Sequence, residues 1–208
     1  MRSSFFLLIF FFCGITLAQK RVLKQWDASA LESLHFIADV ASSVHILATD
    51  TEQLTVSATM EGEYANSLFA GVIRESNGQW TLVTSFESFS VSPNDKLAAH
   101  KVKAIELIIE IPKDKEVSIE ANDASLLAEG SFKGLKASLV NGNCQLLSYK
   151  GNANLEVHNG DTVVFATQGV AGDAISAQGN TTNELPTTGV YLIKVRAQKG
   201  DISLFKIE

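Results

Sequence analysis

Four carboxylates in the C-terminal half of the chain have the residue type and spacing that could act on a polysaccharide. They are Glu156, Asp161, Asp173 and Asp201. If the strands that carry them stack, these side chains fall along one flank, where like charges are costly unless they bind a cation or are spread apart. A calcium or sugar site is one interpretation of this pattern. They are therefore our candidate ligand surface. We favour the simpler alternative, in which acidic residues at turns accept backbone N–H bonds and keep the surface soluble.

The other chemically capable residues do not form a known catalytic or metal-binding pattern. The four histidines (His35, His45, His100 and His158) lack metal-ligand spacing, although His35 and His45 could meet on neighbouring strands. The chain has no nucleophile elbow, no phosphate-binding loop and no dinucleotide fingerprint. We therefore predict no enzyme activity, no catalytic residue, no metal and no cofactor.

The elements that must position these residues are marked by glycines that recur about every twenty residues. Short alternating runs open at Gly134, Gly151, Gly169 and Gly189, and they close at Gly142, Gly160, Gly179 and Gly200. Glycine supplies the backbone conformations that sharp corners demand. The pattern predicts strands that stack layer upon layer.

Within each run, alternate residues are apolar, as in a strand with one buried and one wetted face. The predicted inward residues are Ala137, Leu139, Leu155, Val157, Ile193, Val195 and Ala197. After the turns, apolar runs resume at Cys144, Leu146, Val164, Ile202 and Leu204. The predicted fold class is all-β: a parallel β-helix-like solenoid over 104–208, with a less regular β region over 19–103.

The N-terminal half carries β patterns of a less regular kind. Two alternating runs, 69–74 and 80–86, flank Asn77-Gly78, the strongest short-range signal of a hairpin. We also predict a short helix between Ala28 and His35, and a loop over 87–101 with a helical turn near 96–100.

Two features near the end of the repeat predict departures from it. The unit from Gly169 to Gly179 has few apolar inward residues, so we expect an irregular layer or a protruding loop there, reaching 186–188. The last run ends near Ile207, which predicts an exposed strand edge that could pair two copies of the chain. The oligomeric state stays open.

The first residues have the composition of a secretory signal peptide. Arg2 precedes an apolar run from Phe5 to Phe12, and small residues lead to a predicted cleavage between Ala18 and Gln19. The run is shorter than the roughly 20 residues that a spanning helix needs. We expect a signal peptide over 1–18 and one exported domain over 19–208, periplasmic or at the cell surface, without a transmembrane segment after cleavage.

Charge and cysteine content further limit the possible partners and the possible chemistry of the chain. The formal net charge is −6 and no Lys/Arg cluster occurs, which argues against nucleic acid as a partner. Beyond the predicted signal peptide, Cys144 is the one cysteine, and we expect it to be a small buried residue rather than a reactive thiol. Two possible glycosylation motifs, Asp161-Thr162-Val163 and Asn180-Thr181-Thr182, stay open.

Four segments of the chain together resemble a known family. They are Ile109-Glu110-Ile111-Pro112, Asn141-Gly142-Asn143, Val157-His158-Asn159-Gly160-Asp161 and Lys199-Gly200-Asp201-Ile202-Ser203-Leu204. This series is similar to the adhesin-like domain of unknown function related to the "putative auto-transporter adhesin" head domain, from secreted or envelope proteins of Gram-negative bacteria. The resemblance covers roughly 34–208 and is clearest over 104–164 and 190–208. It implies a right-handed parallel β-helix-like fold and little about activity.

We therefore expect an exported, non-catalytic protein of the bacterial cell envelope with an adhesin-like binding or structural role. Its partner would be a cell-surface glycan or another envelope protein. The alternative is a polysaccharide-active enzyme that uses the four carboxylates.

Overall fold

The part of the chain that the computed structural model describes is all β. It comprises residues 20–38, 40–60, 68–75, 77–86 and 105–207, and no helix occurs within them. The strands are β1 Lys20–Asp27, β2 Ser33–Ile37, β3 Ser43–Thr49, β4 Gln53–Met60, β5 Leu68–Arg74, β6 Gln79–Phe86, β7 Ile105–Pro112, β8 Glu116–Ala121, β9 Ser125–Asn141, β10 Cys144–Asn159, β11 Thr162–Ala166, β12 Val170–Gln178, β13 Thr181–Asn183, β14 Tyr191–Lys199 and β15 Ile202–Lys206. The predicted signal peptide, its cleavage site and the predicted loop at 87–101 lie outside the described residues.

These strands form one mixed sheet that is arranged in two rows. The first row has the order β1-β4-β7-β3-β9-β10-β11-β15-β13, and the second has the order β5-β6-β2-β8-β9-β10-β14-β12. Strands β9 and β10 belong to both rows because each is long enough to cross between them. The first half of β9 pairs with β3, and its second half pairs with β8. From β7 onward the chain therefore alternates between the rows, whereas β3 and β4 both lie in the first row and β5 and β6 in the second.

Parallel pairing follows the glycine repeat, whereas the N-terminal half adds antiparallel pairs. Leu155 of β10 lies beside Ala137 of β9 and Val195 of β14. The pairs β1–β4, β4–β7 and β5–β6 are antiparallel. Parallel neighbours require the chain to return through the other row, but a short turn such as Asn77-Gly78 can join only antiparallel partners. The predicted hairpin is thus confirmed as β5–β6, and the sheet is mixed rather than purely parallel.

The two rows enclose a single apolar core, and the predicted inward residues all belong to it. Leu139 and Val157 are each 2% exposed, and Val195 is fully buried. Their strand neighbours Ser138, Glu156 and Arg196 point outward. The apolar and polar residues that alternate in the sequence therefore lie on the inner and outer faces of the sheet. The all-β prediction and its buried face are confirmed.

The crossing from the first row to the second is packed around two aromatic rings. Phe132 of β9 and Tyr149 of β10 are buried, and their ring centroids lie 5.5 Å apart at an interplanar angle of 14°. The Tyr149 hydroxyl donates a hydrogen bond of 2.7 Å to the carbonyl oxygen of Asn152. Burial raises the pKa of this phenol. The neutral hydroxyl therefore fixes the backbone just after the bend.

The return turns from the second row to the first stack glycine on glycine. Gly142, Gly160 and Gly200 have φ values of +148°, +152° and +132°. A Cβ built on Gly160 would lie 2.1 Å from the carbonyl oxygen of Gly142. Glycine is required at this turn both for its backbone conformation and for the close approach of the neighbouring layer.

The predicted helix between Ala28 and His35 is wrong. Residues 28–32 form a turn, and β2 begins at Ser33. In this short strand Leu34 and Phe36 are buried while His35 lies on the outer face. Burial of alternate residues against the core outweighed the weak helical spacing of the segment.

The predictions for the end of the repeat are also corrected. β14 lies between β10 and β12, and β15 lies between β11 and β13, so the run that ends near Ile207 is inside the stack. The segment 170–178 is a strand that pairs in parallel with β14, although the burial of its residues does not alternate. Its inward residues are small because it is the outermost strand of its row, where Leu185 covers the core and the Gly172 N–H donates to the Pro186 carbonyl oxygen at 3.0 Å. The predicted protruding segment that reaches 186–188 lies between β13 and β14, outside any strand.

Cys144 lies in the core, as predicted, and is 1% exposed. Burial raises the pKa of its thiol to about 12. We expect the Cys144 peptide to stay unmodified when the folded chain is treated with iodoacetamide at pH 8, and to be modified fully in denaturant. Mass spectrometry of the digested protein measures this, and rapid labelling of the folded chain would contradict the buried position.

Candidate functional site

The four predicted carboxylates do not converge on one site. Asp161 and Asp201 lie in neighbouring return turns, whereas Glu156 and Asp173 lie on the outer face of the second row. On that face Arg196 is the strand neighbour of Glu156 and bonds Asp173. Among the described residues, no three His, Cys, Asp or Glu side chains are placed to hold a metal ion.

The two turn carboxylates accept backbone hydrogen bonds from the next layer. The Asp201 N–H donates to Asp161 Oδ1 at 2.8 Å, and the Asn180 N–H donates to Asp201 Oδ1 at 2.7 Å. In the layer before, Asn143 Oδ1 accepts from the Asp161 N–H at 2.9 Å. These contacts match the simpler of the two roles considered for the acidic residues, which is to satisfy turn N–H groups.

Removing one of these acceptors should weaken the stack. We expect Asp201→Ala to lower the free energy of unfolding by about 1–2 kcal/mol, because the Asn180 N–H loses its acceptor. Asp201→Asn keeps an acceptor oxygen and should cost less than half as much. Urea denaturation of both variants measures the difference, and equal effects would show that the hydrogen bond contributes nothing.

The carboxylate of Asp173 is engaged by a cation. Arg196 Nη2 donates to Asp173 Oδ2 at 2.7 Å, and this hydrogen bond holds the pKa of Asp173 below its ordinary value. A general acid on a glycan-cleaving enzyme needs a raised pKa and a second carboxylate nearby. The enzyme alternative therefore finds no support at Asp173.

The histidines are also dispersed. His35 lies in the second row on β2, and His45 lies in the first row on β3, so they are not on neighbouring strands as we had considered. His45 Nε2 lies 3.9 Å from Glu129 Oε2. His158 is exposed at the end of β10, and His100 lies outside the described residues.

One shallow depression on the outer face of the second row has the features of a binding site, and we call it the lysine groove. It has a volume of about 640 Å³. Its floor is Gly134, and its wall is a line of side chains in register across four parallel strands. That line consists of Ser118, Lys136, Asn154 and Lys194.

The backbone conformation does not require a glycine at position 134, the floor of the groove. Gly134 has no positive φ, and a Cβ built on it would meet only Glu116 Cγ, at 3.9 Å. Unlike Gly160, it could carry a side chain without disturbing the fold. Its effect on the structure is to leave open space between the side chains of Glu116 and Asn152 on the adjacent strands.

Asn152 is the most firmly held polar group of the groove. Its Oδ1 accepts a hydrogen bond of 3.0 Å from the Leu192 N–H, and its carbonyl oxygen accepts the Tyr149 hydroxyl. The Asn152 side chain is exposed on the groove lining, so its NH₂ group can donate to a ligand. Asn154 Nδ2 lies 3.4 Å from Glu156 Oε1, which leaves its own oxygen as an acceptor. The groove thus presents a fixed donor and an acceptor.

The groove is also positively charged on an acidic protein. Within the described chain, neither Lys136 nor Lys194 has a carboxylate within ion-pair distance. The acids at the two ends of the groove bind other cations: Glu116 Oε1 lies 2.9 Å from Lys133 Nζ, and Asp173 is bonded to Arg196. Both ammonium groups can therefore contact a ligand, although Asp173, the neighbour of Lys194 on β12, attracts the Lys194 charge.

Sequence reasoning missed this groove, although the repeat contained its signal. Lys136, Asn154 and Lys194 each stand six residues before a closing glycine. Residues at equal positions in a parallel repeat stack side by side. The outward positions could therefore have been aligned in the same way as the inward ones.

Comparisons with known proteins show the fold of this chain. No family model and no curated protein matches the sequence. A solved structure described as a "putative cell adhesion protein" from Clostridium sporogenes is similar, with a TM-score of 0.67, 18% identity, and coverage of 91% of this chain and 100% of that one. A "putative adhesin" from Bacteroides fragilis has a TM-score of 0.41 and 13% identity, covering 92% and 99%.

The first of these similarities shows that most of the chain shares the β fold of that structure. At this level of identity it does not transfer a ligand or an activity. The described part of the chain also holds no helix with the length and apolar character needed to cross a membrane.

Proposed function

We propose that this protein is an exported, non-catalytic, adhesin-like component of the bacterial cell envelope that binds its partner in the lysine groove. The observation that carries this proposal is the groove around Gly134, where no backbone requirement explains the glycine. The hydrogen-bonded Asn152 side chain and two lysines without a carboxylate in ion-pair distance line this groove in the described chain. Sites on rigid strands hold such groups more precisely than loops do. The partner would be a cell-surface glycan or another envelope protein.

The fold supports a binding role because it offers a broad, rigid outer face. Each strand in the middle of the second row is paired on both sides, so the face deforms little when a ligand binds. The similar structure from Clostridium sporogenes is described as a "putative cell adhesion protein", which agrees with such a role. We also propose that the parallel part of the chain is the right-handed β-helix-like solenoid that the family resemblance implies.

We also propose that residues 1–18 are a signal peptide and that 19–208 form a single domain in the periplasm or at the cell surface. N-terminal analysis of the protein recovered from cell fractions tests this. A mature chain that begins at Gln19 in the exported fraction is expected, whereas an uncut chain in the cytoplasm would overturn the proposal.

The binding role is tested with labelled, purified chain added to intact Gram-negative cells and to isolated envelopes. Retention that falls in the variant Gly134→Leu, which fills the groove floor, is expected. Asn180→Gln, an exposed change in a distant turn, is the control and should leave retention unchanged. If the wild-type chain is not retained and no envelope protein can be crosslinked to it, the binding role is wrong.

A further inference from the structure

The lysine groove has a geometry that selects among ligands. Lys136 on β9 and Lys194 on β14 are separated by one strand, β10, and both are in register with Asn154. At the spacing of neighbouring strands, their Cα atoms are about 10 Å apart. The groove therefore offers two positive charges with an amide between them, along a line that runs across the strands.

The two lysines of this line differ from three other lysines of the described chain, which form ion pairs with acids. Lys113 Nζ lies 2.7 Å from Asp50 Oδ2, Lys115 Nζ lies 4.0 Å from Glu32 Oε1, and Lys133 Nζ lies 2.9 Å from Glu116 Oε1. Lys136 and Lys194 face the same groove with no such partner, in a chain of net charge −6. Two like charges close together favour an anionic ligand over a neutral one.

The position of the groove excludes recognition through backbone pairing. A peptide that binds by strand addition gains most of its hydrogen bonds from an open sheet edge. The strands β8, β9 and β10 each have neighbours on both sides within the second row, so their backbone groups are already used. A ligand in the groove must bind to side chains alone.

The remaining side chains of the groove suit hydroxyl groups. Ser33, Ser118 and Asn152 line it together with Asn154, and the Asn152 amide is fixed by the Leu192 N–H. Amides and hydroxyls can each donate to or accept from a sugar hydroxyl. The combination of such groups with two free ammonium groups fits a polyhydroxylated chain that carries carboxylates.

We propose that the lysine groove binds an acidic glycan, with Lys136 and Lys194 pairing with uronate carboxylates while Asn152 and Asn154 hydrogen-bond the hydroxyls between them. This proposal rests on the binding role proposed above and adds the chemical class of the ligand. It also assigns four residues to the contact.

Titration calorimetry of the purified chain with oligogalacturonate, and with the same oligomer after its carboxyl groups are reduced, tests the ligand class. We expect oligogalacturonate to bind at least about tenfold more tightly at low salt, and the preference to shrink as salt rises. Equal affinity for the charged and the reduced oligomers, or no binding to either, would overturn the proposal.

The site itself is tested with Lys136→Gln/Lys194→Gln. We expect this double variant to bind oligogalacturonate about tenfold more weakly, with an unchanged melting temperature. The matched control is Lys24→Gln/Lys206→Gln, which removes the same charge from exposed positions on β1 and β15. A control that weakens binding as much as the groove variant would show that only net charge matters and would overturn the site.

Two further outcomes separate this proposal from the proposed function. If polyglutamate binds with the same dependence on Lys136 and Lys194, the groove takes acidic protein segments and the glycan proposal is wrong. If the lysine variant is retained on envelopes as well as wild type while Gly134→Leu is not, the acidic ligand is wrong but the binding role stands. Failure of the wild-type chain to bind envelopes or any oligomer defeats both.

Discussion

Replacing Gly160 by alanine is expected to lower the free energy of unfolding by about 3 kcal/mol, combining backbone strain with overpacking. The φ of +152° is one that residues with a side chain rarely adopt. The new Cβ would also lie 2.1 Å from the carbonyl oxygen of Gly142, so the stacked turns would have to separate. Urea denaturation followed by circular dichroism measures the loss.

The matched control for this prediction is Gly134→Ala. Gly134 belongs to the same repeat but lies within strand β9, and its added Cβ meets nothing closer than 3.9 Å. We expect its stability to change by less than about 0.5 kcal/mol, as at ordinary surface positions. If the two alanine variants were equally destabilised, the close stacking of the return turns would not be the cause.

Replacing Tyr149 by alanine is expected to cost about 4 kcal/mol, the scale found for large buried aromatic residues. Its ring is fully buried and packs on Phe132 where the chain crosses from the first row to the second. Removing it leaves a cavity that the stacked strands cannot easily close. Thermal and urea denaturation both measure this effect.

Two comparisons identify what Tyr149 contributes. Tyr149→Phe keeps the ring but removes the hydrogen bond to the Asn152 carbonyl oxygen, and should cost about 1–2 kcal/mol. Phe165→Ala removes a half-buried ring that stacks on Phe205, 5.4 Å away, and should cost about 1 kcal/mol. A loss for Tyr149→Ala no larger than that for Phe165→Ala would show that the crossing has no special packing.

The repeat determined much of the fold because strand alternation and turn chemistry are local properties. Leu139, Val157 and Val195 could be placed on the inner face by counting back from glycines, and all three are buried. The hairpin around Asn77-Gly78 was likewise predictable, because two residues set its turn. The helix at Ala28–His35 was a wrong prediction, since its short apolar spacing fitted a strand equally well once a core was available.

Which layer lies beside which was decided only by the tertiary structure. Nothing in the sequence places β14 and β15 inside the stack, since pairing between distant strands depends on how the whole core closes. Because of this pairing, the open sheet edges at this end of the stack are β12 and β13 rather than the strand that ends near Ile207. The edge position of β12 also explains why residues 170–178 include small residues.

The candidate site also has a part that the sequence predicts and a part that only the tertiary structure decides. The sequence by itself determined that Asp161 and Asp201 stand at turns, and their hydrogen bonds to the next layer follow from that position. Only the tertiary structure decided that Lys136 and Lys194 share a groove, because β14 pairs with β10 although β11, β12 and β13 come between them in the chain. A charge at one repeat position becomes part of a site only when the strand order brings its partner beside it, and strand order is a property of the assembled core.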